Sequence, residues 1–110
     1  MPRYLTIGYG ERAGYDNTPQ GLRDAAHEHD AQLVRDGAVT AVMLPPVRVT
    51  NRHDQGTEVA SGAYMRSDMP VAGFSLIEAA TLDEAIAMVS KTPCAVADGV
   101  VEVWPLEEYF

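Results

Sequence analysis

The stretch VAGFSLIEA (residues 71–79), followed after one residue by TLDEAIAMV (residues 81–89), decides the fold. The first segment is largely apolar and has the length of a strand. In the second segment Thr81 stands three residues before Glu84, which is the capping-box spacing that begins a helix. The sequence therefore predicts a strand that leads directly into a helix, whose apolar face contains Leu82, Ala85, Ile86 and Val89.

The N-terminal third of the sequence also predicts a strand followed by a helix. Tyr4–Tyr9 is rich in β-branched and aromatic residues, which indicates a strand, and the polar residues 11–17 indicate a loop. Thr18 as N-cap and Pro19 at the first position predict the start of a helix that ends at Gly37. The stripe that this helix should bury contains Leu22, Ala25, Ala26, His29 and Leu33.

Three further extended segments complete the pattern. Ala38–Leu44 is almost entirely apolar, which predicts a buried strand that ends at Pro45 and Pro46. A hairpin is expected between residues 47–51 and 57–64, with a turn between them. The last strand is expected at Val100–Trp104, followed by an acidic and aromatic tail over 106–110.

The resulting order, βαββαβ, predicts an α+β protein with a ferredoxin-like antiparallel sheet. A chain of 110 residues forms one domain, so residues 1–110 are assigned to a single unit. Two helices cover only one face of a four-stranded sheet, and the other face needs a cover. A second copy of the chain is the simplest cover, and we therefore expect a homodimer.

Composition restricts the partners. Eight basic and sixteen acidic residues give a net charge of −8, which disfavours nucleic acid and anionic membrane surfaces. No apolar stretch approaches the roughly 20 residues of a membrane span. The single cysteine excludes an internal disulfide, and with no leader segment in the sequence we expect a cytoplasmic protein.

The chain resembles the YCII-related proteins, and in particular their DGPF-type branch. The resemblance depends on VAGFSLIE (residues 71–78), TLDEA (residues 81–85), Pro93 and VEVWP (residues 101–105). It implies a dimeric α+β barrel, in which two ferredoxin-like sheets pack face to face, and it implies no cofactor. Where the branch carries Asp-Gly-Pro-Phe, this chain has SGAY at residues 61–64, so the aspartate is missing.

Five residues are candidates for a site. His29 lies on the apolar stripe of the first helix, where an imidazole is suited to general acid or base catalysis. The alternative is a histidine at the edge of the core, bonded to a backbone carbonyl. Tyr64 and Ser61 lie in the segment that replaces the family signature, and Arg48 and Arg66 are cations suited to a substrate carboxylate. Each of these four also has a structural alternative, as a strand or turn residue or as a partner of a local acid.

The other histidines and the cysteine give no indication of a functional site. His27 and His29 are two positions apart on a helix and point about 200° away from each other, so they cannot share one metal ion. The sequence therefore predicts no metal site. His53 and Asp54 are expected in a solvated turn, and Cys94 is expected to be buried and unreactive.

Two functions follow from the resemblance and from these residues. Relatives with this barrel include muconolactone isomerases, a hydroquinone dehydrochlorinase and cofactor-independent monooxygenases. One hypothesis is therefore a cofactor-free enzyme, of isomerase, lyase or dehydrochlorinase type, that acts on a small cyclic or aromatic metabolite with His29 as base. The other is a non-catalytic dimer that binds a small ligand or serves as an accessory or regulatory protein. A pocket between helices and sheet that holds His29 with Tyr64 or an arginine would favour the enzyme.

Overall fold

A four-stranded antiparallel sheet with helices packed on one face forms the centre of the protein. The computed structural model describes residues 1–108, and the last two residues of the predicted tail lie outside the described part. The strands are β1 (Arg3–Tyr9), β2 (Val39–Val42), β3 (Val47–Thr50), β4 (Glu58–Ser61), β5 (Val71–Glu78) and β6 (Val100–Pro105). The helices are α1 (Arg12–Asn17), α2 (Gln20–Arg35), α3 (Leu82–Val89) and α4 (Pro93–Val96), with a single 3-10 turn at Arg52–Asp54.

The sheet order is β2-β5-β1-β6, and every neighbouring pair is antiparallel. The predicted α+β class is therefore confirmed. Tyr4 lies opposite Ile77 and Thr6 lies opposite Ser75. All four are buried, because this face of the sheet lies beneath the helices.

The core lies between the sheet and α3. Tyr4, Ile77 and Val89 pack with two alanines, Ala79 and Ala85, which have no exposed surface. The capping box at the start of α3 is present, since the Thr81 hydroxyl accepts a hydrogen bond from the Glu84 amide at 3.1 Å. The Glu84 carboxylate in turn accepts from the Ala80 amide at 3.1 Å.

The loop predicted over residues 11–17 is wrong, because Arg12–Asn17 forms α1. The Thr18 hydroxyl donates to the Gly14 carbonyl at 2.9 Å, and Arg12 pairs with Asp16 at 3.2 Å. Gly14 is required inside this helix because there is no room for a side chain. A Cβ there would lie 3.0 Å from the Ala97 carbonyl oxygen, so glycine allows α1 to pack against the end of α4.

The start of α2 differs from the prediction, whereas its end agrees with it. The N-cap is Pro19 rather than Thr18, because the Thr18 hydroxyl is engaged by α1. Gly37 ends the helix with a φ of +112°, as predicted for a left-handed residue. Of the predicted stripe only Ala26 and Leu33 are buried, His29 is half-buried, and Leu22 and Ala25 are exposed.

The predicted burial of the strand at 38–44 is wrong. β2 is an edge strand that pairs only with β5 in this sheet, and Val39 and Val42 are 58% and 82% exposed. An apolar run predicts burial only when other elements cover both faces of the strand, and here none of the described residues does so.

The predicted hairpin is confirmed as a separate two-stranded sheet of β3 and β4, with Val49 opposite Val59. It belongs to a segment, residues 45–68, that we call the arm. Every residue from 39 to 68 is exposed.

The face of the four-stranded sheet opposite the helices is called here the open face. Strand alternation and register place its residues: Leu5 lies opposite Leu76 and Trp104, and Ile7 lies opposite Phe74 and Glu102. Trp104 is 45% exposed. The open face consists of Leu5, Ile7, Tyr9, Val39, Ala41, Phe74, Leu76, Val100, Glu102 and Trp104. Among the helices of residues 1–108, none has both the length and the apolarity needed to cross a membrane.

Candidate functional site

A cleft of about 1360 Å³ lies between the arm and one end of the open face. Ile7, Tyr9 and Val71 contribute the sheet side of the cleft, and the arm contributes most of the remaining lining. The lining is chiefly apolar, with Met43, Leu44, Pro45, Pro46, Val47, Val49, Val59, Ala60, Ala63, Met65, Met69 and Pro70. The cleft therefore lies on the opposite side of the sheet from the helix-covered side where the sequence placed the site.

Three of the four predicted binding residues line this cleft. They are Arg48, Tyr64 and Arg66. Tyr64 is 86% exposed, which excludes the alternative of a half-buried strand residue. Ser61 does not line the cleft, but its backbone carbonyl accepts a hydrogen bond from the Arg48 guanidinium at 3.2 Å.

The two arginines of the cleft have no acidic partner, unlike three of the six other Lys and Arg side chains within residues 1–108. Within residues 1–108 neither Arg48 nor Arg66 lies within ion-pair distance of a carboxylate, whereas Arg3, Arg12 and Arg35 each have an acidic partner. The alternative in which a local acid pairs with Arg48 or Arg66 is thus not observed. Glu58 is the one carboxylate-bearing residue of the lining.

Sequence reasoning missed a hydrogen-bonded pair at the cleft. The Tyr9 hydroxyl donates to the Glu102 carboxylate at 2.6 Å. This bond, with burial and the negative charge of Glu102, raises the pKa of Tyr9. The only signal in the sequence was Glu102, a single acid within the apolar strand β6. The pairing register of β1 and β6 brings this residue close to Tyr9.

His29 lies outside the cleft lining, on the helix-covered side. Its Nε2 lies 2.6 Å from the Met88 carbonyl oxygen, so the ring nitrogen donates to the carbonyl. This is the core-edge arrangement given above as the alternative to catalysis. The structure does not bring His29 together with Tyr64, Arg48 or Arg66.

His27 points to a different cluster. Its Nε2 lies 2.8 Å from the Tyr15 hydroxyl, and the Arg23 guanidinium carbon lies 4.9 Å from the centre of the Tyr15 ring. The two histidines therefore have separate surroundings, as their helical spacing predicts. Among residues 1–108 no three His, Cys, Asp or Glu side chains are grouped so that they could hold a metal ion.

The remaining candidates lie away from the cleft. His53 and Asp54 are exposed at the tip of the arm, where Asn51 bonds to Asp54 at 3.2 Å and accepts from the Gly56 amide at 3.0 Å. Cys94 is half-buried against Gly8, where an added Cβ would lie 2.8 Å from the sulfur. Burial raises the pKa of the Cys94 thiol, and the negative charge of Asp30 raises it further, so the thiolate is disfavoured.

A scan against protein-family models gave no match, and a search of curated proteins gave none either.

Proposed function

We propose that the protein binds a small molecule with an apolar body and an anionic group, such as a carboxylate, in the cleft between the arm and the open face. The observation that supports this proposal most directly is the placement of Arg48 and Arg66, without carboxylate partners in the described residues, in a chiefly apolar cleft. Small-molecule sites typically combine apolar walls with a few polar groups that orient the ligand. A guanidinium binds a carboxylate with two parallel hydrogen bonds, which supplies that orientation.

Binding without catalysis agrees best with the surroundings of the reactive groups. His29 donates to the Met88 carbonyl and lies outside the cleft lining. The pKa of the Cys94 thiol is raised, which disfavours the nucleophilic thiolate. The predicted catalytic role of His29 accordingly stays a prediction that the cleft geometry does not support.

A cofactor-free enzyme is the second candidate, and one observation favours it. Tyr9 lines the cleft, and its hydroxyl is held by Glu102 at 2.6 Å. A hydrogen-bonded tyrosine and carboxylate can move a proton to and from a bound ring, which is the chemistry of an isomerase or a dehydrochlorinase. In this candidate Tyr9 and Glu102, rather than His29, serve as the acid–base pair.

For the architecture we propose a ferredoxin-like unit of the YCII-related type that forms a homodimer. The strand order β2-β5-β1-β6, the antiparallel pairing and the position of the helices on one face support it. The open face supports the dimer, because most of its residues are apolar and a contiguous apolar surface that no helix covers is typical of an interface. A single cysteine suits a reducing compartment, and we propose the cytoplasm. The net charge of −8 disfavours binding to nucleic acid there.

The binding proposal is tested with benzoate and with benzamide, its neutral counterpart of similar shape. Isothermal titration calorimetry should show that benzoate binds more tightly to the purified protein than benzamide does. Arg48→Gln and Arg66→Gln should each weaken benzoate binding roughly 10- to 100-fold, since a charged hydrogen bond contributes roughly 1.5–3 kcal/mol. Arg52→Gln is the matched control, because Arg52 lies at the arm tip outside the cleft lining and should bind benzoate like the wild type.

Equal affinity for the acid and the amide would overturn the binding proposal, and so would unchanged affinity in both arginine variants. The enzyme candidate makes a different prediction. Turnover of a cyclic substrate should disappear in Tyr9→Phe and persist in His29→Gln, and the reverse pattern would restore His29 as the base.

A further inference from the structure

We infer that the arm (residues 45–68) packs against a second copy of the chain and closes the cleft between the two subunits. This inference rests on the dimer proposed above and adds an arm-to-partner contact to the contact between open faces.

The side-chain pattern of the arm shows that one of its faces is built to be covered. Val47, Val49 and Val59 lie on the same face of the β3–β4 pair and are 62–64% exposed. Arg48 and Glu58 lie on the other face. Alternating apolar and polar residues are typical of strands with one buried face, and an isolated two-stranded hairpin is only marginally stable in water.

The surface area indicates how large the missing cover is. The chain has an accessible surface of 8104 Å². A folded monomer of 11.9 kDa is expected to expose about 6,000 Å². The excess of about 2,000 Å² lies within the range that one subunit buries in an obligate dimer.

The shape of the chain points to the arm as a main source of this excess. The radius of gyration is 16.0 Å and the longest dimension is 53 Å. A compact domain of this length has a radius of about 13 Å. A projecting segment without a single buried residue accounts for such an extension, and the rest of the same chain buries none of its side chains.

The charge distribution favours a second copy as the occupant. The arm has three basic and three acidic residues, so the whole net charge of −8 lies in the remainder of the chain. Two such acidic bodies repel each other, whereas a neutral arm can approach an acidic partner without that cost.

The position of the arm has a consequence for the ligand site. The arm lines the cleft together with Tyr9 and Val71, which lie at one end of the sheet. A subunit that covers the open face would therefore also cover the mouth of this cleft. At about 1360 Å³ the cleft is larger than a typical small-molecule pocket of about 300–1,000 Å³, and a partner surface would reduce it to that size. The site is thus complete only in the dimer.

The double variant Val49→Asp/Val59→Asp tests the contact. Sedimentation equilibrium should show a dimer for the wild type and a dissociation constant at least 100-fold higher for the double variant. Val34→Asp is the matched control, since Val34 is 48% exposed on α2, away from the arm, and should remain dimeric. Leu76→Asp tests the open face separately. Circular dichroism should show that all variants are folded.

The outcomes separate this inference from the proposed dimer. If Leu76→Asp dissociates the dimer and the arm variant does not, the arm inference is wrong and the dimer proposal stands. If the wild type is monomeric at micromolar concentration, both are wrong, and the arm then serves an unlike protein or lies unpartnered.

A cross-linking experiment identifies what the arm touches even if the charged variants fail to fold. The single cysteine of a Cys94→Ser/Val49→Cys protein is labelled with a photoreactive benzophenone, and chains with light and heavy nitrogen are mixed. Cross-links between light and heavy chains are expected, chiefly to the open face. Cross-links only within one chain would show that the arm is a lid on its own cleft and would overturn the inference.

Discussion

His29 and Asp30 are neighbours on α2, and their surroundings show what single residues contribute here. His29 is fixed by the Met88 carbonyl, which makes it part of the α2–α3 contact. Asp30 is half-buried beside it, and burial raises the pKa of its carboxyl, while the nearby His27 and His29 lower it to a smaller extent. A charged carboxylate in this position opposes folding.

Replacing Asp30 with asparagine should therefore stabilise the protein at neutral pH. A carboxyl whose pKa is raised in the folded state contributes stability at low pH, and this contribution is lost as the pH rises through the folded pKa. The advantage of Asp30→Asn in urea unfolding should thus be present at pH 7 and vanish below about pH 4.

Asp24→Asn on the exposed side of the same helix is the control and should change the free energy of unfolding by no more than about 0.5 kcal/mol. A variant Asp30→Asn that is less stable than the wild type at pH 7 would show that the carboxylate has a favourable partner.

Among the elements, α1 shows how a helix of six residues can depend on its neighbours. Such a helix is too short to be stable alone. The Thr18 hydroxyl holds it by donating to the Gly14 carbonyl. The Tyr15 hydroxyl lies 2.8 Å from His27 Nε2, and the Arg23 guanidinium packs over the Tyr15 ring. The contacts of Tyr15 reach residues of α2, so tertiary packing maintains a helix that local propensity does not.

Tyr15→Ala should accordingly loosen α1. We expect a loss of about 1–2 kcal/mol in the free energy of unfolding, because a cation–π contact, a hydrogen bond and part of a buried ring are removed. Amide hydrogen exchange should accelerate over residues 12–17 and remain slow in the middle of α2.

Lys91→Ala is the control, since Lys91 is exposed just beyond α3 and belongs to neither α1 nor the arm, and it should leave stability and exchange unchanged. Unaltered exchange over residues 12–17 in Tyr15→Ala would mean that the Thr18 and Arg12 contacts suffice to hold the helix.

At the scale of the whole molecule, the helices cover one face of the sheet, whereas the other face is only partly buried and the arm is exposed. The buried core is small: within residues 1–108 it contains two tyrosines, one leucine, one isoleucine, one valine and four alanines. A single chain with so little buried volume gains less apolar burial than its length allows. Association should therefore add to its stability.

Thermal stability should depend on protein concentration for this reason. Any equilibrium in which the folded state is a dimer shifts toward folding as the concentration rises. We expect the midpoint of thermal unfolding to rise measurably between about 1 and 100 µM, since a 100-fold change in concentration corresponds to about 2.7 kcal/mol of mass action. Differential scanning calorimetry measures the midpoint, and a value independent of concentration would contradict the dimer.

The local elements followed from local patterns. The Thr81–Glu84 spacing predicted the start of α3, Gly37 predicted the end of α2, and two extended segments separated by a turn predicted the β3–β4 hairpin. Capping bonds, left-handed turns and hairpin turns all involve residues a few positions apart. The α+β order followed from the same signals. Three of the four residues proposed for binding also line the cleft: Tyr64 was chosen because its segment replaces the family signature, and Arg48 and Arg66 were chosen as cations suited to a carboxylate.

Only the tertiary structure decided where these elements meet. It placed Glu102 beside Tyr9 across 93 positions, set His29 against the Met88 carbonyl, left β2 exposed at the edge and put the cleft on the face without helices. The physical reason is that burial and register depend on which segments pack together over long sequence distances, and no pattern within a few residues contains that information.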